Sequence, residues 1–404
     1  MAVGQNEFPA MPAITGISLG TANAGIKQTV RDDILVIAMT DTATCAAVFT
    51  QNAFCAAPVL VAKQHLAHKP RWLLINSGNA NAGTGEAGLA DALTTCADVA
   101  ALVGAEPQQV LPFSTGVIGQ TLPVAKIKTA LPAAFNALTP LGWANAAKAI
   151  MTTDTFAKGA TKTMLINGQP VTINGIAKGA GMIQPNMATM LAFMATDAAI
   201  AQPLLQACLT ETAQQSFNLI TVDGDTSTND ACVFMASATS LAGEITADSE
   251  AYQVFADAVT EVAKQLAELI IRDGEGATKL IRIVVAEARD NAEAANVGKT
   301  IAHSPLVKTA FFASDPNWGR ILAAVGRAGV DNMVLTDVQI FLDEVCIVQN
   351  GGVAPDYTEA AGQRVMNQSE ITITVKLGRG SAIQQVLTCD FSYDYVKINA
   401  EYRT

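Results

Sequence analysis

The longest amphipathic pattern of the chain lies in residues 250–272 and predicts a helix. Its apolar positions are spaced three and four residues apart, as one buried face of an α-helix requires. These positions are Val254, Phe255, Val259, Val262, Leu266, Leu269 and Ile270. Asp273 and Gly274 follow directly and form a natural stop, because glycine readily adopts the backbone angles that end a helix. We therefore expect one long helix with a single buried face.

Shorter patterns alternate along the rest of the chain. Helices are expected over residues 86–103, ended by Gly104, and over 125–138, 143–151 and 204–215. Pro132 lies inside the second of these and should kink or divide it. Apolar runs and alternating positions predict strands at residues 34–39, 46–49, 72–75, 190–195, 280–286, 334–341 and 371–375. This mixture predicts an α/β or α+β fold, with lobe boundaries near residues 200 and 280.

Composition narrows the possible functions. Half of the 404 residues are hydrophobic and 15% are charged, which predicts a well-buried globular protein. The net charge of −11 argues against a nucleic-acid partner, since phosphate binding needs clustered Lys and Arg. The amino terminus lacks a secretory pattern, and no stretch reaches the roughly 18 uncharged apolar residues of a membrane helix. Seven cysteines without C-x-x-C spacing indicate reduced thiols and a cytoplasmic protein.

Several familiar kinds of site are missing. With three histidines and no G-x-S-x-G motif, the sequence gives no support to a histidine-dependent triad. His65 and His68 lie in a lysine-containing segment that ends in proline, which favours a solvated face over a metal site. Residues 273–279 lack the spacing of a P-loop, and residues 221–230 lack the glycine and the bidentate glutamate of a calcium loop. By spacing alone both segments are polar turns.

Thr189 stands between a turn signal, Pro185-Asn186, and an apolar run. It could be a β-branched residue that suits the start of a strand, and spacing alone favours this explanation. It could also be a nucleophile, if the bond between Ala188 and Thr189 were cut and the new α-amino group acted as the base. That amine has a reference pKa of about 7.7–8.0, close to working pH. Gly179 and Gly181 would permit the unusual backbone angles of such a loop.

Residues 178–191, KGAGMIQPNMATML, resemble the self-cleavage motif of the ornithine acetyltransferases, which are glutamate N-acetyltransferases. The resemblance extends over most of the chain. Further similar segments are NSGNANAGTG (76–85), STGVIG (114–119), MTTDTF (151–156), VDGDTSTND (222–230), RDGEGATKL (272–280), DPNWGRILAAVGRAG (315–329) and INAEYRT (398–404). So many ordered motifs are highly specific to one family.

The resemblance implies a role for individual residues. Thr189 would open a β chain of residues 189–404 after cleavage from an α chain of residues 1–188, and would carry the acetyl group. Thr115 and Gly116 match the pair that stabilises the oxyanion. Contacts to substrate would come from Thr152, Lys178, Thr189, Glu275, Asn399 and Thr404. Physically, Lys178 can bind an anion, Glu275 can bind a cation or move a proton, and the carboxylate of Thr404 is a fixed anion.

The implied reaction passes the acetyl group of N2-acetylornithine to glutamate through an acyl-threonine, without metal or organic cofactor. Some members of the family also use acetyl-coenzyme A, and the sequence does not decide this. The resemblance further implies layered sheets flanked by helices, as in self-processing aminopeptidases, and an assembly of two α and two β chains. Smaller lobes would cover residues 200–280 and 281–404.

Each of these residues also has an ordinary structural explanation. Thr115-Gly116 could be a turn, Lys178 a surface lysine, and Glu275 a solvated charge after a helix. Asn399 and Thr404 could belong to a frayed tail. Two other functions stay open: a self-processing amidohydrolase that passes the acyl group to water, and a binding protein that keeps the fold without cutting itself.

Overall fold

Strands and helices alternate throughout the computed structural model, which describes residues 2–4, 7–27, 30–184 and 190–401. The strands of the first half are β1 (Ile17–Ala22), β2 (Ile34–Met39), β3 (Thr44–Phe49), β4 (Trp72–Asn79), β5 (Val110–Val117), β6 (Lys158–Ile166), β7 (Gln169–Lys178), β8 (Leu191–Thr196) and β9 (Ala199–Ile200). Those of the second half are β10 (Ala231–Ala236), β11 (Glu244–Ile245), β12 (Leu280–Ala288), β13 (Gln339–Leu342), β14 (Val345–Gln349), β15 (Gly352–Val353), β16 (Glu370–Lys376) and β17 (Ala382–Cys389).

The α-helices within these residues lie between the strands. They are α1 (Ala57–His65), α2 (Gly85–Val103), α3 (Val124–Asn136), α4 (Trp143–Ala149), α5 (Gln202–Gln215), α6 (Glu250–Arg272), α7 (Asn291–Ala302), α8 (Pro305–Phe312), α9 (Trp318–Gly326), α10 (Glu359–Met366) and α11 (Tyr393–Ala400). In the described part of the chain, no helix combines the length and the apolar character needed to cross a membrane.

Two sheets pack face to face and carry helices on their outer faces. The first sheet has the order β1-β2-β4-β5, and the second has the order β3-β10-β8-β7-β6. Leu35, Ile75 and Phe113 of the first sheet share one core with residues of the second, and the Phe113 and Phe193 rings meet edge-on at 5.3 Å. Helices α2 and α3 cover the far side of the first sheet, while α5 and α6 cover the second. The result is a four-layer α+β arrangement.

A third sheet begins at Leu280 and has the order β15-β14-β13-β16-β12-β17. Helices α7 and α9 pack on it around a separate core. Residue 200 lies in β9, which pairs with β11 in a separate two-stranded sheet. The chain then returns to the second sheet, where β10 pairs with β8 in parallel, with Ala231 opposite Leu191. The lobe boundary near residue 200 stays a prediction.

Most predicted elements are confirmed, but the division of a helix at Pro132 and the full length of one strand are not. Helix α3 runs through Pro132 undivided, since its apolar face at Ile127, Leu131 and Ala134 is buried against the first sheet. The strand expected over 334–341 is confined to β13, because turns lie at residues 331–332 and 335–337 and Val334 between them is exposed. Helix α6 has the predicted bounds, and the Ser249 side chain caps it by accepting a hydrogen bond from Tyr252 N–H.

Candidate active site

A cavity of about 270 Å³ lies where β5, β7 and α6 end and β8 begins. It brings together predicted site residues that are far apart in the sequence. Those lining it are Thr115, Gly116, Thr152, Lys178, Glu275 and Asn399. Ala188, Thr189 and Thr404 lie outside the described residues. Met190 and Leu191, which follow Thr189 in the chain, also line the cavity.

Gly116 reaches the cavity from the end of β5 in a conformation that favours glycine. Its φ is +134°, and a Cβ atom at this position would lie 2.3 Å from the carbonyl carbon of Gly78 and 2.6 Å from Asn79 N. Both contacts are with the backbone of β4, which pairs with β5 in parallel. The backbone at Gly116 therefore lies directly against β4, and the sequence leaves no side chain there. This close packing gives a fixed place to the peptide groups that would face an oxyanion.

Lys178 is the last residue of β7 and pairs with Leu191 at the start of β8. Only 9% of it is exposed. Burial lowers the pKa of Lys178, while the charges of Asp154, Asp230 and Glu275 act in the opposite direction. The alternative of a surface lysine is thus wrong, since the side chain is buried beside the cavity.

Glu275 follows the end of α6 and is also buried, with 6% exposed. Its N–H donates to the carbonyl of Ala180 at 2.8 Å, and its Oε2 accepts a hydrogen bond from Asn399 Nδ2 at 2.8 Å. A Cβ on Gly181 would lie 2.4 Å from the Glu275 carboxyl carbon, so the glycine makes room for this carboxyl. Asn399 belongs to α11, and its bond to Glu275 joins the carboxyl-terminal helix to the cavity.

The segment 221–230, a polar turn by its spacing, contributes a wall of the cavity through Ser227, Thr228, Asn229 and Asp230. Asn229 Nδ2 donates to the carbonyls of Ala80 at 2.6 Å and Ser114 at 2.9 Å, which ties the segment to the first sheet. Reasoning from individual residues missed these site residues. The available signal was a cluster of small polar residues directly before a buried strand.

Asp230 has the most unusual environment of this segment. It is 2% exposed, and its Oδ2 atom has no hydrogen-bond partner in the part of the chain that the structure describes. Burial raises the pKa of this carboxyl well above its usual value, although Ser227 and the charge of Lys178 oppose the rise. A buried carboxyl that takes up a proton so readily is typical of functional sites.

Nothing in the described residues groups three or more metal-binding side chains. The expectation that His65 and His68 lie on a solvated face is wrong for His65. Its ring is 5% exposed, and Nδ1 lies 2.8 Å from the carbonyl oxygen of Val110, so it is a buried residue of α1 and not part of a solvated face. His68 is exposed, as expected. Five of the seven cysteines are buried, which confirms the prediction of mostly buried thiols.

Comparison with known proteins gives one consistent family. The model of the ArgJ family matches residues 18–404. The arginine biosynthesis bifunctional protein ArgJ of Methylococcus capsulatus is 63% identical over 391 residues, which cover 97% of this chain and 96% of that protein. The protein of the same name from Pseudomonas fluorescens is 52% identical over 405 residues and covers both chains fully. The crystal structure of ArgJ from Bacillus halodurans is 38% identical, covers 52% of this chain and 97% of its own, and gives a TM-score of 0.49.

Proposed function

The chain belongs to the ArgJ family, and we propose that it transfers the acetyl group of N2-acetylornithine to glutamate in arginine biosynthesis. One observation carries the proposal: the predicted oxyanion pair, Lys178 and Glu275 line a single cavity beside the residues that follow Thr189. The polar groups of that cavity suit an amino-acid substrate, because a buried lysine lies near two buried carboxyl groups. The compartment proposed for this reaction is the cytoplasm.

The proposed nucleophile is created by cleavage of the chain between Ala188 and Thr189. This gives fragments of 188 and 404 − 188 = 216 residues. The free α-amino group of Thr189 then takes the proton of its own hydroxyl. An assembly of two copies of each fragment is part of the proposal.

The first half of the reaction forms an ester. The Thr189 hydroxyl oxygen attacks the acetyl carbonyl, and the Gly116 N–H together with the Thr115 hydroxyl stabilises the resulting oxyanion. The carbon–nitrogen bond breaks, the proton held by the α-amino group passes to the leaving nitrogen, and ornithine departs. Lys178 and Glu275 hold the charged groups of the amino acid, together with Thr152, Asn399 and Thr404.

The second half returns the enzyme to its starting state. The α-amino group of glutamate attacks the ester carbonyl, its proton passes to the Thr189 oxygen, and N-acetylglutamate leaves. All atoms balance without metal or organic cofactor. Acetyl-coenzyme A is proposed as a second acetyl donor to the same threonine, with the thiol as leaving group.

The test is an intact mass measurement of the purified protein before and after brief incubation with N2-acetylornithine. We expect two fragments divided between Ala188 and Thr189, and an acetyl-sized gain on the second. The variant Thr189→Ala should stay a single chain without an adduct, while Thr189→Ser should be cut and acetylated. A wild-type chain that remains whole and gains no mass would refute the proposal.

A further inference from the structure

A row of buried charges extends from the cavity into the interior. Lys158 Nζ lies 2.6 Å from Asp154 Oδ1 and 2.6 Å from Asp273 Oδ2. All three side chains are at most 1% exposed. Asp273 follows the end of α6, two residues before Glu275. The row therefore lies behind the elements that carry Thr152, Lys178 and Glu275.

Asp154 joins two of those elements by hydrogen bonds to their backbones. Its Oδ2 accepts from Thr152 N–H at 2.8 Å, and its Oδ1 accepts from Gly179 N–H at 2.7 Å. Gly179 directly follows Lys178 at the end of β7. One carboxylate thus sets the distance between the turn at Thr152 and the strand end that presents Lys178.

Asp154 also acts on the charge of Lys178. Burial is the largest influence on Lys178 and lowers its pKa, and Asp154 is the strongest influence that raises it. Asp230 and Glu275 add to the effect of Asp154, whereas the positive charges of Lys158 and Lys27 oppose it. The pKa of Asp154 itself is lowered: burial alone would raise it, but Lys158, Lys178 and the Gly179 N–H together outweigh burial. Asp154 is therefore an anion at neutral pH.

We propose that Asp154 is a positioning residue of the substrate site: its carboxylate fixes the Thr152 turn against Gly179 and thereby holds the end of β7 that presents Lys178 to the cavity. This deepens the proposed function and rests on it, since Lys178 is taken to bind the carboxylate of an amino-acid substrate. Asp154 need not touch the substrate. It acts through the position of Thr152 and through the charge of Lys178.

Asp273 provides a matched control within the same ion cluster. It shares Lys158 with Asp154, but its carboxylate binds Thr155 N–H at 2.9 Å and does not bond to Thr152 or Gly179. Asp154→Asn and Asp273→Asn each remove one of the two carboxylates of a buried lysine. The loss of thermal stability should be smaller for Asp273→Asn, because burial raises the pKa of Asp273 although Lys158 opposes the rise, whereas the pKa of Asp154 is lowered. Only Asp154→Asn should alter the pKa of Lys178.

The charge of Lys178 can be read without turnover. Reductive methylation with formaldehyde, followed by peptide mass spectrometry over a range of pH, gives the pH at which the Lys178 amine becomes reactive. Since an anion nearby stabilises the cation, its removal should move this midpoint to lower pH. We expect a shift to lower pH in Asp154→Asn and none in Asp273→Asn.

Kinetics with N2-acetylornithine and glutamate complete the test. In Asp154→Asn the KM for N2-acetylornithine should rise about tenfold or more, with a smaller change in kcat. In the pH profile of kcat/KM, the decline at alkaline pH should move to lower pH in Asp154→Asn, together with the methylation midpoint. Asp273→Asn should leave that decline in place. A folded Asp154→Asn protein with wild-type midpoint and KM, or an equal shift in Asp273→Asn, would overturn the proposal.

Two further experimental outcomes still allow the role of Asp154 to be tested. If Asp154→Asn does not fold, Asp154→Glu replaces it: the charge is kept but the side chain is longer, so KM should rise while the methylation midpoint stays near that of the wild type. An unchanged KM in that variant counts against a positioning role. If the wild type transfers no acetyl group at all, the proposed function fails, and the methylation midpoints still decide whether Asp154 controls Lys178.

Discussion

Gly116→Ala tests how closely the predicted oxyanion site depends on the packing of β5 against β4. The added Cβ would lie 2.3 Å from the Gly78 carbonyl carbon, 2.6 Å from Asn79 N and 2.7 Å from the Gly78 Cα. Carbon atoms in contact prefer about 3.5–4.0 Å, so the two strands must separate by about 1 Å. All three neighbours are backbone atoms, and hence no side chain can rotate away to relieve the contact.

That displacement is large compared with the tolerance of an oxyanion site. Loss of one donor typically costs roughly 100- to 1,000-fold in kcat, or about 2.7–4 kcal/mol. A misplacement of about 1 Å by itself can cost about 100-fold. We therefore expect kcat for acetyl transfer to fall by about two orders of magnitude or more in Gly116→Ala. The overpacking should also lower the free energy of unfolding, by about 1–3 kcal/mol.

The assay compares this variant with Gly119→Ala, three residues further along the chain. Gly119 also has a positive φ, +80°, but a Cβ added to it would have no atom of the described residues within 4 Å. The Gly119→Ala variant therefore measures the effect of backbone strain at a positive φ without the steric clash of Gly116→Ala. Initial rates of acetyl transfer are measured on protein shown to be folded by circular dichroism and by its denaturation midpoint. If folded Gly116→Ala keeps kcat within about threefold of the wild type, the role given to this strand end is refuted.

The remaining predictions concern buried groups. Lys158→Met leaves Asp154 and Asp273 without their shared cation, and should lower the free energy of unfolding by about 3–5 kcal/mol in urea titrations; a loss below about 1 kcal/mol would contradict this account. Asp230→Asn should stabilise the fold at neutral pH, because the raised pKa means that the ionised carboxyl is the costly form. That gain should disappear in acid, below the ordinary pKa of 3.8, where the wild type is protonated in both the folded and the unfolded state. A denaturation midpoint that does not rise at neutral pH would count against it. Alkylation of the native protein at about pH 8 should reach the half-buried Cys55 and Cys346 first. Burial raises the pKa of Cys45, Cys96, Cys208 and Cys232 to about 12, so these should react roughly tenfold or more slowly, as judged by peptide mass spectrometry.

Local elements were predictable because their causes are local. The bounds of α6 follow from apolar spacing between a serine cap and Asp273-Gly274, and α2 ends where Gly104 adopts a positive φ of 67°. Pro132 shows the limit of such reasoning. The rule that proline interrupts a helix is outweighed where the rest of the helix face is buried against a sheet.

The order of the strands could not be predicted in the same way. β3 pairs with β10, with Phe49 opposite Ala231, and no local pattern records a pairing over such a distance in the sequence. The same applies to the site. Its proposed nucleophile and oxyanion residues were predicted through a family resemblance, whereas Asp154 and Asp230 gained significance only from neighbours that the fold supplies.

Asp230 and Asp154 illustrate two opposite ways to keep a carboxylate in the interior. Asp154 has a lysine at 2.6 Å and two backbone N–H donors, so its charge is compensated and its burial is compatible with a stable fold. Asp230 lacks a partner for Oδ2 among the described residues and faces the cavity. A neutral side chain of the same shape would be more stable there, so stability does not account for an aspartate at this position. Sites that keep such a group usually do so for activity, at a cost in stability. Asp230 therefore belongs to the wall of the cavity, and Asp154 to the structure that supports it.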